Sequence, residues 1–197
     1  MKATSTMRIW CDARRHAANL LADRRGLAAV EFAFILPVMM VMLFGTVEVS
    51  TAIAIDRKVT LMARTLSDLT SQATKVEDTD FTNFFAASYG IMTPYPTTSA
   101  VLSSTITEIY VDASKVAHVQ WSKGSAGSTP LAPRDVVPIS DKLAIAGTYL
   151  IMSQVSYSYT PTVGYVMKSA LTMKDSAFTR PRQSQCVMYG TSACTTY

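Results

Sequence analysis

The sequence predicts an α+β protein in which a long N-terminal transmembrane helix continues into a small head with a mostly antiparallel sheet. Three observations lead to this fold class. The stretch Phe32–Val47 contains no charged residue. Apolar residues then recur at helical spacing beyond it, and later segments rich in β-branched and aromatic residues are separated by turn-forming residues. At 197 residues, the chain has room for one domain and an appendage.

The apolar run is long enough to cross one bilayer. As a helix that rises about 1.5 Å per residue, Phe32–Val47 extends about 24 Å, and continuation to Ile55 gives about 36 Å. We therefore assign the transmembrane helix to residues 27–55. Pro37 lacks an N–H and predicts a kink in its first turns. Glu48 lies near the far interface, where we expect its side chain to snorkel to water.

The positive charge of the chain is confined to its beginning. Residues 1–26 contain six basic and two acidic residues, a net charge of +4, whereas the remainder contains 12 of each sign. A nucleic-acid-binding surface would need basic residues spread over the folded part, so this function is excluded. Positive charge before a span holds that end in the cytoplasm, and we predict residues 1–26 to be a cytoplasmic leader.

The helical pattern continues after the apolar run. Apolar residues recur at intervals of three and four: Val59, Met62, Ala63, Leu66, Leu69 and Ala73. Polar and charged residues occupy the other faces. We predict one helix from about Leu27 to about Ala73, in which residues 56–75 are an amphipathic continuation that packs against the head.

Residues 76–197 are predicted to form the α+β head. Asp80–Tyr89 favours a short helix that ends at Gly90. β-favouring residues predict about four strands, at Val101–Val111, Lys115–Lys123, Tyr149–Thr160 and Leu171–Thr179. The segment Gly124–Pro138 is predicted to be an exposed loop, and Ile139–Ala146 fits a short helix or a turn.

A carboxylate interrupts the start of the apolar segment. The sequence Arg24-Arg25-Gly26 is followed by Leu27-Ala28-Ala29-Val30-Glu31-Phe32. A glutamate costs about 2.5–3.5 kcal/mol at the centre of a membrane helix and less near its end, so a compensating charge is expected for Glu31. The alternative is a carboxylate at the level of the lipid headgroups. A secretory signal with cleavage near Ala52 or Ala54 is a further alternative, but the apolar run is too long for such a signal.

These residues resemble the N-terminus of TadE/TadG-like minor pilins, or pseudopilins, of the tight-adherence (Tad, Flp) type IV pilus system. The motif is Gly26 followed by Leu27–Phe32, with the glutamate as the fifth residue after the glycine and Pro37 shortly afterwards. Later segments, Val155–Pro161 and Arg180-Pro181-Arg182, resemble the ends of TadE-type heads more loosely. The resemblance implies a pilin-like fold, and the length of the chain implies a minor component of the pilus.

The resemblance also implies roles for the residues of the motif. Prepilin peptidase would cut between Gly26 and Leu27, and the new amino group of Leu27 would neutralise Glu31 of a neighbouring subunit, giving Glu31 and Phe32 a part in assembly and register. The partners implied are other Tad minor pilins, the major Flp pilin and the inner-membrane Tad assembly platform. The protein would be a single-pass inner-membrane protein with a cytoplasmic N-terminus and a periplasmic head, and it could be incorporated into a surface pilus for adhesion.

Two of the three cysteines lie near the C-terminus. Cys186 and Cys194 are separated by seven residues. If this part of the chain is exported, the oxidising compartment favours a Cys186–Cys194 disulfide, and two free thiols are the alternative. The third cysteine, Cys11, lies in the leader.

No pattern typical of an enzyme or a cofactor site is found in the sequence. His118 lies in a predicted strand without a nucleophile or a metal-ligand cluster nearby, and we predict no catalytic residue, cofactor or metal ion. Glu77, Asp78 and Asp80 fit the charges of a helix cap better than a calcium loop. Beside the minor pilin, a single-pass envelope scaffold or sensor with a periplasmic binding head remains open.

Overall fold

The structure is a computed structural model, and it describes residues 26–161 and 169–196. These residues form two compact units, one ending at Val47 and the other beginning at Glu48. Helix α1, Leu27–Ser71, comprises 45 residues and begins in the first unit. The predicted helix from about Leu27 to about Ala73 is therefore confirmed to within two residues. The predictions for the leader, residues 1–26, lie outside the described residues except for Gly26.

Helix α1 changes character along its length. Up to Val47 its apolar side chains are mostly exposed, whereas Val59, Met62 and Leu66 are fully buried at intervals of three and four residues. Glu48 is only 2% exposed. The expected snorkelling of Glu48 is therefore wrong, because the residue belongs to the unit that contains the head.

The described residues of the head form seven strands and one further helix. Their bounds, in chain order, are β1 Lys75–Val76, α2 Asp78–Met92, β2 Leu102–Val111, β3 Ala117–Gly124, β4 Val136–Val137, β5 Tyr149–Tyr159, β6 Leu171–Thr179 and β7 Met188–Tyr189. Five strands form one sheet in the order β4-β3-β2-β5-β6, and all neighbours are antiparallel. This arrangement confirms the predicted α+β class with a mostly antiparallel sheet.

The two faces of the sheet bury different sets of side chains. Leu102 and Ile106 of β2 and Val155 of β5 share a core with the buried face of α1. Alternate residues of the same strands, including Ile109 and Met152, form a second core on the opposite face. A register shift between Glu108 and Ile109 interrupts the pairing of β2 with β3, which is typical of a β-bulge.

Helix α2 is longer than predicted, and Gly90 does not end it. Lys58 Nζ donates hydrogen bonds to the carbonyl oxygens of Ile91 (2.7 Å) and Thr93 (3.0 Å). A lysine of α1 thus satisfies carbonyl groups at the C-terminal end of the helix, which reaches Met92. At the other end, Asp80 Oδ2 accepts the main-chain N–H of Glu77 at 2.8 Å, as expected for a helix cap.

Two short pairings were not predicted. Val136–Val137 lies in the segment expected to be a loop and pairs with β3 as a two-residue edge strand. Lys75–Val76 pairs with Met188–Tyr189 in parallel. A strand of two residues is too short to show an alternating pattern, so sequence periodicity cannot predict it. The segment Ile139–Ala146 consists of turns rather than a helix.

Candidate functional site

The predicted site lies at the start of α1. Gly26 immediately precedes Leu27, the first residue of the helix, and the motif up to Phe32 is helical and exposed. The structure therefore presents the whole motif, Gly26–Phe32, at the surface of the described part of the chain.

Nothing in the fold requires a glycine at position 26. A Cβ atom added to Gly26 would meet no described heavy atom within 4 Å, and its φ lies outside the left-handed region. Gly127 differs on both counts, since its φ is +84° and its Cβ would lie 2.5 Å from the carbonyl oxygen of Ser99. If Gly26 is needed, the need comes from a partner and not from the folding of this chain.

Glu31 is an exposed carboxylate on an apolar helix. Within residues 26–161 and 169–196, its side chain makes no hydrogen bond or ion pair, and it is exposed. Leu27 and Glu31 are four residues apart, so they lie on the same face of α1 about one turn from each other. Any compensating charge for Glu31 must therefore come from outside the described residues.

The surface around Glu31 is apolar. Between Leu27 and Val47, α1 exposes the following large apolar side chains: Leu27, Val30, Phe32, Phe34, Ile35, Leu36, Val38, Met39, Met40, Val41, Met42, Leu43 and Val47. The helix is long and apolar enough to cross a membrane, and its most apolar 18-residue window has no buried residue. Such a surface is typical of a helix that contacts lipid or other helices.

Comparison with protein families identifies this segment. Residues 26–66 match the family model described as TadE-like protein. The segment is TadE-like. The TadE-like match begins at Gly26 and ends at Leu66, so it covers the motif and most of α1 and does not reach the sheet. No curated protein and no solved structure matches the chain.

Residues 26–66 are similar to TadE-like proteins, and among the described residues one helix is long and apolar enough to cross a membrane. The predicted resemblance is confirmed at this level. The match contains all four residues of the predicted site, Gly26, Leu27, Glu31 and Phe32. Their roles in cleavage and assembly stay predictions.

The structure also places the cysteine pair and the histidine of the head. Cys186 and Cys194 are joined by a disulfide, and their Cα atoms lie 6.2 Å apart. His118 Nε2 lies 3.3 Å from Asp112 Oδ2. The pKa of Asp112 is lowered, mainly by the N–H of Val116 and also by His118. Among the described residues, no group of three or more His, Cys, Asp or Glu side chains could hold a metal ion.

Sequence reasoning did not single out Glu108, which the structure buries in the head. Val187 donates its main-chain N–H to Glu108 Oε1 at 2.6 Å. Burial raises the pKa of the Glu108 carboxyl to about 8, against the lowering effect of hydrogen bonds from Val187 and Trp121. The alternation of β2 is a signal that could have indicated this burial, because Glu108 shares the face of Leu102 and Ile106.

Proposed function

We propose that this protein is a minor pilin, or pseudopilin, of a Tad (Flp) pilus, and that it is a structural, non-enzymatic component. Prepilin peptidase cuts between Gly26 and Leu27, and the mature chain takes part in pilus assembly or in adhesion at the surface. The head lies in the periplasm before assembly. The TadE-like match supports the association with the Tad system, and the finer role is argued from the residues of the motif.

The observation that carries this proposal is the carboxylate of Glu31, which has no partner among the described residues and lies on an exposed apolar helix. A carboxylate near the start of a membrane helix is costly unless an opposite charge compensates it. Cleavage after Gly26 would create an amino group at Leu27, which is a positive charge of the required kind. The open surroundings of Gly26 agree with a glycine kept for close approach of a peptidase to the main chain.

Pairing between neighbouring subunits would also fix their axial register. Leu27 and Glu31 are four residues apart, which corresponds to about 6 Å along a helix. A neighbour whose Leu27 amino group meets Glu31 is therefore displaced by about that distance. Phe32, which is exposed beside Glu31, would pack against the same neighbour. The partners are other Tad minor pilins, the major Flp pilin and the inner-membrane assembly platform.

Mapping the mature N-terminus tests the processing step. The tagged chain is expressed with and without the prepilin peptidase, and its first residue is determined by mass spectrometry. We expect Leu27 only when the peptidase is present. A Gly26→Leu variant should stay uncut, whereas Gly90→Leu, at a glycine whose Cβ would also meet no atom within 4 Å, should be cut normally. An intact leader in the presence of the peptidase, or a cut near Ala52, would overturn the proposal and favour a membrane-anchored scaffold or sensor.

Glu31 is tested separately from cleavage. A Glu31→Ala chain should be bound to the membrane and folded but absent from purified pili, because the charge that sets its register is missing. Asp141→Ala, which removes an exposed carboxylate of the head that has no hydrogen bond or ion pair within the described residues, is the control and should be incorporated normally. Normal piliation with Glu31→Ala would rule out the register role.

A further inference from the structure

The C-terminal segment 181–196, which we name the strap, is held to the head along its length. Its first part is bound through the main chain: the N–H groups of Arg182, Met188 and Gly190 donate to the carbonyl oxygens of Ser71 (2.9 Å), Thr74 (3.1 Å) and Val76 (3.0 Å). The last two bonds accompany the parallel pairing of β7 with β1. The strap therefore adds only a two-residue strand to the head and depends on other contacts to stay in place.

The strongest contacts lie at the centre of the strap. Val187 is fully buried. Its N–H donates to Glu108 Oε1 at 2.6 Å, and its carbonyl oxygen accepts the indole N–H of Trp121 at 2.8 Å. Both main-chain groups of one residue are thus satisfied by buried side chains of two neighbouring strands. Leaving such groups without partners in a buried place is costly, so opening the strap must expose Glu108 and Trp121 to water.

The end of the strap returns to the same region. The N–H and hydroxyl of Thr195 donate to Gln120 Oε1 at 3.2 and 2.7 Å. The Cys186–Cys194 disulfide closes residues 186–194 of the strap into a loop. Residues of this loop line a cavity of about 340 Å³ together with Glu108 and Trp121.

The strap also packs buried Cys186 with Tyr110 and Tyr149, and the ring of Tyr189 lies against those of Phe81 and Trp121. Two of its side-chain contacts are exposed and contribute little. Arg182 forms an ion pair with Asp68, and the hydroxyl of Tyr189 donates to Asp78 Oδ1 at 3.0 Å. Exposed pairs of this kind are weak in water. Closing a nine-residue loop covalently removes much of the disorder of the opened strap, and chain-entropy reasoning gives a change of roughly tenfold to hundredfold in the open population.

We propose that the strap is a redox latch: oxidation of Cys186 and Cys194 locks Val187 against Glu108 and Trp121, and reduction releases it. Oxidation occurs by exchange with a disulfide-bearing oxidant. One thiolate attacks the oxidant to form a mixed disulfide, the second cysteine displaces it, and the oxidant leaves as two thiols that take up the two protons. The strap would then be released from the head in a reducing compartment and held against it after transfer to an oxidising one. The latch does not depend on the proposed pilus role.

Hydrogen exchange tests the latch on the full chain in lipid nanodiscs. The background carries Cys11→Ser, so that Cys186 and Cys194 are the only cysteines. Exchange is followed by mass spectrometry before and after addition of a phosphine reductant. We expect amides of residues 182–190 to exchange at least tenfold faster after reduction, whereas amides of β5 change less than twofold. Unchanged exchange in the strap would overturn the proposal, as would equal acceleration in β5, which would mean that the disulfide holds the whole head.

Two sets of variants separate the disulfide from the contacts that it supports. Cys194→Ser should exchange like the reduced chain and should not respond to the reductant. Glu108→Leu removes the acceptor for the Val187 N–H and should open the strap even when the disulfide is intact. Glu108→Gln keeps an acceptor oxygen at the same position and should stay closed. If the strap amides exchanged as slowly in Glu108→Leu as in Glu108→Gln, the Glu108 side chain would not hold the strap closed. Neither readout requires peptidase processing, so failure of the latch is distinguishable from failure of the pilin proposal.

Discussion

The main-chain N–H of Val187 donates a hydrogen bond of 2.6 Å to Oε1 of Glu108, which is buried on the central strand of the sheet. The two residues are 79 positions apart. Glu108 therefore joins the strap to the central strand of the head. The same burial raises the pKa of Glu108 to about 8, and this makes the stability of the head depend on pH.

The free energy of unfolding is expected to fall as the pH rises from about 4.5 to about 8. Across this range the folded chain holds a proton on Glu108 that the unfolded chain has released, because the ordinary pKa is 4.5 and the folded pKa is about 8. The slope from this group is at most about 1.4 kcal/mol per pH unit. Urea unfolding at pH 5, 6.5 and 8, with Glu108→Gln as reference, measures it.

Comparison with Glu108→Gln separates the effect of the Glu108 carboxyl on stability from the effects of other titrating groups. The amide does not titrate, so the stability difference between Glu108→Gln and the wild type should increase in favour of the variant as the pH rises. Parallel pH profiles for the two proteins would show that Glu108 keeps an ordinary pKa. The exchange of strap amides at the same pH values reports whether the strap opens before the sheet unfolds.

The packing of α1 in the head predicts a large effect for Leu66→Ala. Leu66 is fully buried with the core residues of the sheet, and removing its side chain leaves a cavity that typically costs about 2–5 kcal/mol. Leu61 lies on the same helix and is exposed, so Leu61→Ala should change stability by no more than about 0.5 kcal/mol. Urea unfolding followed by near-ultraviolet circular dichroism compares the two. Similar losses would mean that α1 does not pack on the sheet through the Leu66 face.

Much of this fold could be predicted because its main elements carry local patterns. The interval of three and four residues locates α1, and alternation with β-branched residues locates β2, β5 and β6 within one residue of their observed ends. The motif Gly26–Phe32 could also be found, since its charge and glycine stand out from an apolar run. Features of this kind can be recognised from residues that are close together in the sequence.

The parts that could not be predicted depend on contacts between distant residues. Helix α2 extends to Met92 while Lys58, 33 positions before Ile91, satisfies carbonyl groups at its end. The burial of Glu108 depends on Val187, and the pairing of β1 with β7 depends on the path of the strap. A carboxylate on a strand ordinarily lies on the solvent face, so residue type and the alternation of β2 give opposite indications for Glu108.

Removing the amino group of Lys58 should loosen the end of α2. Lys58→Met keeps most of the aliphatic chain but removes the donor to Ile91 and Thr93, and hydrogen bonds to charged groups are worth about 1.5–3 kcal/mol each. We expect faster amide exchange over residues 88–93 and a lower melting temperature. Lys142 is exposed and makes no hydrogen bond within the described residues, so Lys142→Met is the control. Equal exchange in both variants would show that Lys58 does not stabilise the end of this helix.

The boundary between membrane and head can be located on α1 with single cysteines. Val41, Ile53 and Leu61 have exposures of 52%, 51% and 54%, so they differ mainly in the medium that surrounds them. In a background with Cys11→Ser and an intact disulfide, each is replaced by cysteine. The membranes are then sheared so that a charged maleimide reaches both faces. We expect Val41→Cys to be protected by lipid and Leu61→Cys to react.

The maleimide reactivity of Ile53→Cys shows where the membrane span ends. The sequence assigns residues 27–55 to the span, but the structure buries Ala52 and Ile55 in the core of the head and Glu48 beside them. Side chains that fill a protein core cannot also face lipid, so Ile53→Cys should react like Leu61→Cys. The remaining segment, residues 27–47, would measure about 32 Å as a helix, close to the thickness of the hydrocarbon core of a bilayer. Protection of Ile53→Cys would extend the span to residue 55, and a reactive Val41→Cys would contradict a transmembrane α1.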